Sequence, residues 1–329
     1  MVTSRQFVRG VGRTMRAMDR AAKQAERQRA ARMKSLDRQA HLDASARAAS
    51  EYDEIVEALV GAHRVRLTRR DWLTTATAPR VGVPERRDHA EAAAAERLAA
   101  YVPGWFARTF GRERSARDRL QRDVEAARAK DDADHAAAVS DAHRRNSEIV
   151  EAQRIVERQP DAIVSALDRY SGLGDLPFSV EGIDTLFLDG RIIAIVDGLD
   201  LEDMPHESVT LLKSGKASVK NLAVGKRAEM HRDAICSTAI RVALELQTSL
   251  AIDEVEVLML TDVLDRGSGH LDSAPVLHLR ATAQTLAALN LARAEPAAVM
   301  DRLGAHMDWS KRDGFRPINA AAFGIELGD

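Results

Sequence analysis

The chain has 329 residues, of which 45% are hydrophobic and 30% charged, with a formal net charge of -2. That length buries a sizeable core without disulfides or structural metal, and it leaves room for two domains or for one domain with a long helical extension. The single cysteine, Cys236, excludes an internal disulfide. No 18-residue apolar run follows the basic N-terminus or occurs later, which argues against a spanning helix or a secretion signal and makes the cytoplasm the expected setting.

The near-neutral total hides a segregation. Residues 1–40 carry 11 Lys and Arg against Asp19, Glu26 and Asp37, so the remainder of the chain is acidic. Arg5, Arg9, Arg13, Arg16, Arg20, Lys23 and Arg27 recur at steps of three and four, which aligns them on one helix stripe. Phe7, Val11, Met15, Met18, Ala22 and Ala25 form a companion apolar stripe. Such an arm suits nucleic-acid phosphates, an anionic membrane surface or the acidic face of a partner. It equally suits a solvated coiled-coil face that pairs with acidic parts of the same chain.

No proline interrupts residues 4 to about 63, so one long helix is predicted there. A helix of that length needs another helix or a partner subunit to cover its apolar positions. The candidate is 112–158, where Leu120, Val124, Ala127, Ala138, Ala142, Ile149, Ala152 and Val156 follow a heptad-like rhythm. Pro79, Gly82 and Pro84 mark the stretch between as a connector. The predicted organisation is a basic coiled-coil arm at 1–68, a linker at 69–87, and an Ala-rich helical region at 88–172 that pairs with the arm. An α+β domain follows at 173–329. In "YVPGWFARTFG", Trp105, Phe106 and Phe110 are spaced to form a packing anchor or a ligand pocket.

From residue 176 the period changes to two. Thr185–Leu188 and Arg191–Val196 flank an Asp189-Gly190 turn, a hairpin signal. "VEVLML" and "PVLHLRA" read as two more strands, 226–250 as a buried helix, and 282–293 and 296–306 as further helices. The expected fold class is therefore α+β: a long N-terminal helical region, then a small mixed or antiparallel sheet packed on a buried helix.

After the hairpin, "LLKSGKASVKNLAVGKRAEMHRDAICSTAIRVALELQ" leads into and through the buried helix. Neither Gly215-Lys216-Ala217 nor Gly225-Lys226-Arg227 completes a P-loop, which needs a hydroxyl after the lysine and a glycine upstream. What remains is a set of basic residues, Lys213, Lys216, Lys220, Lys226 and Arg227, before a helix N-terminus. That placement opposes the helix dipole unless an anion binds, or it is a solvated basic loop. Cys236 on the apolar face reads as a core residue. Arg241 and Glu245, four apart, read as an ion pair at the border of the buried face.

Asp262, Asp265, His270, Asp272 and His278 fall in "TDVLDRGSGHLDSAPVLHL", expected to be a loop between two strands. Asp262, Asp265, His270 and Asp272 are the residue types that would hold Mg²⁺ or Mn²⁺, while Gly267, Ser268 and Gly269 suit an ordinary turn. Asp262, His270 and Glu245 are the candidates for any catalytic role, but no fixed metal signature is present. The simpler expectation is that no cofactor is used.

"YVPGWFARTFGR", "SGKASVKNL", "CSTAIRVALEL", "SGHLDSAPVL" and "KRDGFRPI", in this order, resemble an uncharacterised family of bacterial intracellular proteins. The resemblance covers the chain from about residue 52 onward. It implies a bacterial cytoplasmic protein in which Lys216, Cys236, Arg241, Glu245, Gly269, His270, Gly314 and Phe315 match family positions, and it adds no catalytic residue. "AEMHRDAI", before Cys236, departs from a more aromatic stretch in the family.

Two functions are compatible with these observations. One is an interaction protein whose basic helical arm docks on a nucleic acid or a partner complex, with oligomerisation through the coiled coil. The other is a metal-dependent enzyme on a phosphate-containing substrate, in the manner of a nuclease. For the second, Asp184, Asp189 and Asp197 are available on the hairpin, but no Glu-x-Lys follows.

Overall fold

The structure is a computed structural model that describes residues 4–105, 108, 112–176, 180–265 and 267–327, without the side chains of 4–31, 175 and 180–182. The fold is α+β, with a mixed six-stranded sheet and a separate two-stranded one. Among the described residues no helix is long and apolar enough to cross a membrane. The chain divides into two compact units, 1–67 with 172–244 and 253–329, and 68–171 with 245–252.

In the first unit, α1 (Ser4–Val60) is one uninterrupted helix of 57 residues. At 1.5 Å per residue it is about 86 Å long. Its C-terminal part repeats Leu42, Ser45, Ala49, Tyr52, Val56 and Leu59 at alternating steps of three and four, and all six are partly or fully buried, with Ala48, Ala58 and Val60 beside them. Leu59 packs with Met204 and Ala234 in one core cluster. From Arg32 to His41, by contrast, every side chain is exposed.

β1 (Val180–Leu188) and β2 (Arg191–Gly198) form the expected hairpin, turning at Asp189 and Gly190 with φ of 48° and 76°. Two successive positive φ values are what a two-residue hairpin turn with the right twist requires. β2 then runs parallel to β5 (Glu254–Leu264), so the chain must cross over between them. The crossover contains the hairpin β3 (Glu207–Leu211) and β4 (Ala217–Asn221), and the helix α6 (Val224–Leu250). The segment read as a basic connector is thus a β-ribbon with Gly215 at its turn. Its short strands are half exposed and escape an apolar-run reading.

β6 (Leu271–Thr282) pairs with β5, followed by β7 (His306–Ser310) and β8 (Gly314–Arg316), giving the order β1-β2-β5-β6-β7-β8. The last two strands were not expected. The helix predicted at 282–293 shortens to α7 (Ala283–Ala287), and that at 296–306 becomes α8 (Pro296–Leu303), stopped by Gly304 at φ 70°. The β5–β6 ladder shifts register beside Pro275, which has no N–H to contribute.

The core lies on both faces of the sheet. On one side α6 buries Ile235, Cys236, Ala239, Ile240, Val242 and Ala243. It approaches so closely that a Cβ on Gly198 would lie 2.6 Å from Ile235 Cδ1. On the other side Ile318, Ala320 and Ile325 of the C-terminal segment pack on Ile193 and Leu258.

The second unit holds α2 (Trp72–Thr77), α3 (His89–Ala99), α4 (Glu113–Val156) and α5 (Pro160–Tyr170), joined by the last turns of α6. Within it α4 packs on α2, α3 and α5 and buries Ala142, Ile149 and Ala152. α2 interrupts the presumed linker: Trp72 is buried, its indole N–H donates to Ser249 O at 2.5 Å, and its ring lies 5.2 Å from Tyr170. Of the aromatic trio, Trp105 is 70% exposed and is not a core anchor. Phe106 and Phe110 lie outside the described residues.

Leu258 is fully buried and touches the C-terminal segment across the sheet. Leu258→Ala is expected to cost about 3 kcal/mol in urea unfolding. Leu211→Ala, at a half-exposed ribbon position, should stay within about 0.5 kcal/mol.

Candidate functional site

The first candidate region is basic. Lys213 and Lys216 flank the turn of the β3–β4 ribbon, and Leu212 N–H closes it on Lys216 O at 2.9 Å. Gly215 holds φ 78° there, and a Cβ on it would come 2.9 Å from Leu42 Cδ2 of α1. The lysine ribbon is therefore seated on α1, and Lys213, Lys216 and Lys220 are all exposed. The other two basic residues are engaged locally. Lys226 Nζ pairs with Glu229 at 2.6 Å, and the Arg227 guanidinium donates to Leu201 O at 2.8 Å. Glu229 also meets Lys311 at 2.5 Å, and the two ammonium groups hold its carboxyl down at about 2. Lys226 is thus ion-paired within the fold, and Arg227 is hydrogen-bonded to a backbone carbonyl. The side chains of Arg5, Arg9, Arg13, Arg16 and Arg20 lie outside the described residues, on the described backbone of α1.

The second region is acidic and lies where the parallel pairing of β2 with β5 stops, at Asp197 and Leu260. In parallel α/β arrangements that edge is where ligands commonly bind. After β2, Asp200 and Asp203 cap a short 3₁₀ turn, with Asp200 N–H donating to Asp203 Oδ2 at 2.8 Å. Asp200 Oδ1 also accepts from Asp262 N–H at 2.7 Å and lies 2.9 Å from the Thr261 hydroxyl. His231 Nε2 lies 2.7 Å from Leu199 O, so the ring is the donor. Burial, then Asp200 and Asp262, raise the carboxyl of Asp197 above the usual range, and burial, then Asp200, Asp272 and Glu202, raise that of Asp262. Sequence reasoning found Asp262 and mentioned Asp197, but not their convergence through Asp200, because the crossover separates them in the chain.

The β5–β6 turn uses its polar residues on itself. Asp265 accepts from the N–H groups of Gly267 and Ser268 at 2.8 and 3.1 Å, and His270 N–H donates to Ser268 Oγ. Asp272 stands on β6 opposite Val263. His278 is not in this loop. It is buried within β6, 2.8 Å from Glu256 and stacked on Phe323 at 4.0 Å. Among the described residues no group of three or more His, Cys, Asp or Glu is arranged to hold a metal.

Other polar groups are buried as well. Glu256 receives Arg191 Nη1 at 3.2 Å on both oxygens as well as His278, which compensates its charge. His63 and Ser237 lie 2.8 Å apart, and His63 Nε2 is 3.2 Å from Ala294 O. With Nε2–H donating to that carbonyl, Nδ1 accepts the serine proton and the ring is neutral. Glu245 is only 2% exposed near the end of α6, and Cys236 is fully buried beside Met307, where desolvation raises its thiol pKa. A polar residue inside an apolar run, as in Val255-Glu256-Val257, was the available signal for these networks.

No known protein family matches the chain, and no curated protein matches it. Among solved structures it shows a likeness to a sex pheromone precursor from Lactobacillus salivarius subsp. salivarius UCC118, at 10% identity and a TM-score of 0.16. That likeness covers 31% of this chain and 30% of the other, and it carries no argument about fold or function.

Burial lowers the pKa of both His63 and His231 below the ordinary 6.5. The unfolded chain then binds these protons first as pH falls, so their contribution is complete above 6.5 and is lost on acidification through the folded values. Urea midpoints should decline as pH falls below about 6.5, and the decline should be shallower in His231→Gln.

Proposed function

We propose that this protein is a bacterial cytoplasmic interaction protein that docks on a nucleic acid through a basic face shared by α1 and the β3–β4 ribbon. The observation that carries the reading is the seating of Gly215, between Lys213 and Lys216, on Leu42 of α1. Stepping back from Ala49, Ser45 and Leu42 by threes and fours meets Arg38 and Lys34, both exposed. One further step of seven, two helical turns, reaches Arg27, and the same rhythm continues through Lys23, Arg20, Arg16, Arg13, Arg9 and Arg5. The arginine stripe and the ribbon-bearing stripe are therefore one line, about 55 Å from Leu42 to Arg5. Such a track of cations suits contact with backbone phosphates and specifies no sequence.

The opposite side of α1 is left for oligomerisation or a partner helix. A chain with one buried cysteine suits the reducing cytoplasm.

A second reading, a Mg²⁺- or Mn²⁺-dependent enzyme on a phosphate-containing substrate, is favoured by the raised carboxyls of Asp197 and Asp262 where the pairing of β2 with β5 stops. Their closeness favours a bound cation or a shared proton.

Polarisation of labelled duplex DNA and RNA across a salt series tests the first reading. Replacing Arg5, Arg9, Arg13, Arg16 and Arg20 together by Gln should reduce the slope of log affinity against log salt by about 4, and Lys213→Ala with Lys216→Ala by about 2. Absence of binding by the unaltered chain would turn the search to protein partners. Cation-dependent cleavage that Asp262→Ala abolishes would establish the second reading instead.

A further inference from the structure

Resting on the reading of α1 as a docking arm, we infer that a second copy of this chain covers the helix face away from the ribbon, in a parallel two-fold pair. Met33 and Leu36 are 60% and 62% exposed, although large apolar side chains on a helix ordinarily face a core. They stand about half a turn from the Leu42–Ser45–Ala49 stripe, so the domain that α1 packs on cannot reach them. Going back from Leu36, the positions Met33, Arg29, Ala25, Ala22, Met18, Met15, Val11 and Phe7 follow in steps of three and four. One charged residue, Arg29, interrupts an otherwise apolar seam, as register-setting positions do.

The charges beside the seam identify the occupant. Asp37 follows Leu36 on one border, and Asp19 and Glu26 share that border by the helical step; Arg32 precedes Met33 on the other. With Met33 and Leu36 as the two seam positions of one heptad, Arg32 and Asp37 are the flanking g and e positions. In a parallel two-fold pair the g residue of one helix meets the e residue five positions later on the other. Arg32 of each copy then faces Asp37 of its mate. An antiparallel pair would set the acidic borders against each other. Both residues are exposed on α1. The pairing also sends the two basic stripes outward on opposite sides, free for phosphates.

The nearly 3.6-residue spacing of the seam predicts a straight pair rather than a strong left-handed supercoil.

Sedimentation equilibrium of the full chain should show a dimer, which Met33→Glu with Leu36→Glu converts to monomer while the urea midpoint stays unchanged. Arg32→Asp should weaken the dimer about five-fold, and adding Asp37→Arg should restore it. In Leu36→Cys, where the native Cys236 is buried, oxidation should link the two chains at position 36. A monomer at micromolar concentration, or a dimer without the position-36 link or without charge rescue, would overturn the inference. Nucleic-acid binding by the Met33→Glu, Leu36→Glu chain reports separately on the docking reading, which survives if monomers still bind with a steep salt slope.

Discussion

The constraint on which the first unit depends is the burial of α6 on most of its circumference. Because β2 and β5 are parallel, the chain must cross from the end of one to the start of the other, and α6 is the return leg of that crossover. Its small residues, Ala234, Cys236, Ala239 and Ala243, permit the approach that Gly198 completes from the sheet side. A helix packed this closely leaves little solvated surface beyond its first turns. Its polar side chains therefore find partners in neighbouring segments: Ser237 with His63, and His231 with Leu199. These bonds tie the end of α1 and the end of β2 to the same helix.

The charged groups divide into those spent on the fold and those left over. Glu256 is neutralised by Arg191 and hydrogen-bonded by His278, Glu229 by two lysines, and Asp265 by the backbone of its own turn. A buried carboxylate without such partners would cost several kcal/mol, on the order of the stability of a whole domain. Lys213, Lys216, Lys220, Lys34 and Arg38 remain exposed on one stretch of the first unit. Asp197 and Asp262 retain raised carboxyls beside a third, Asp200, whose oxygen is already committed to the backbone of Asp262. The basic surplus lies along a helix and a ribbon, and the acidic one sits at a strand end.

α1 shows how one helix carries two assignments. A three-and-four repeat defines a single stripe, and the residues on that stripe change from arginine to apolar where the helix meets its own domain. The same turn of helix places Met33 and Leu36 on the far side, where nothing in the unit covers them. The charged stripe and the apolar seam therefore lie on opposite sides of the same helix.

Periodicity and turn chemistry by themselves determined the long α1, the Asp189-Gly190 hairpin, the buried α6 and the α+β class, since those depend on patterns local to the chain. They misplaced His278 and the lysine segment. A buried His in a strand and a half-exposed β-ribbon differ from loops only in what packs on them. The parallel pairing of β2 with β5 was likewise invisible, because the partners stand some sixty residues apart and the register is set by the helix between them. Tertiary structure alone decided that Asp197 and Asp262 share an edge, that His63 meets Ser237, and that the ribbon sits on Leu42. Each of these contacts joins residues far apart in the chain, which no local run of residues records.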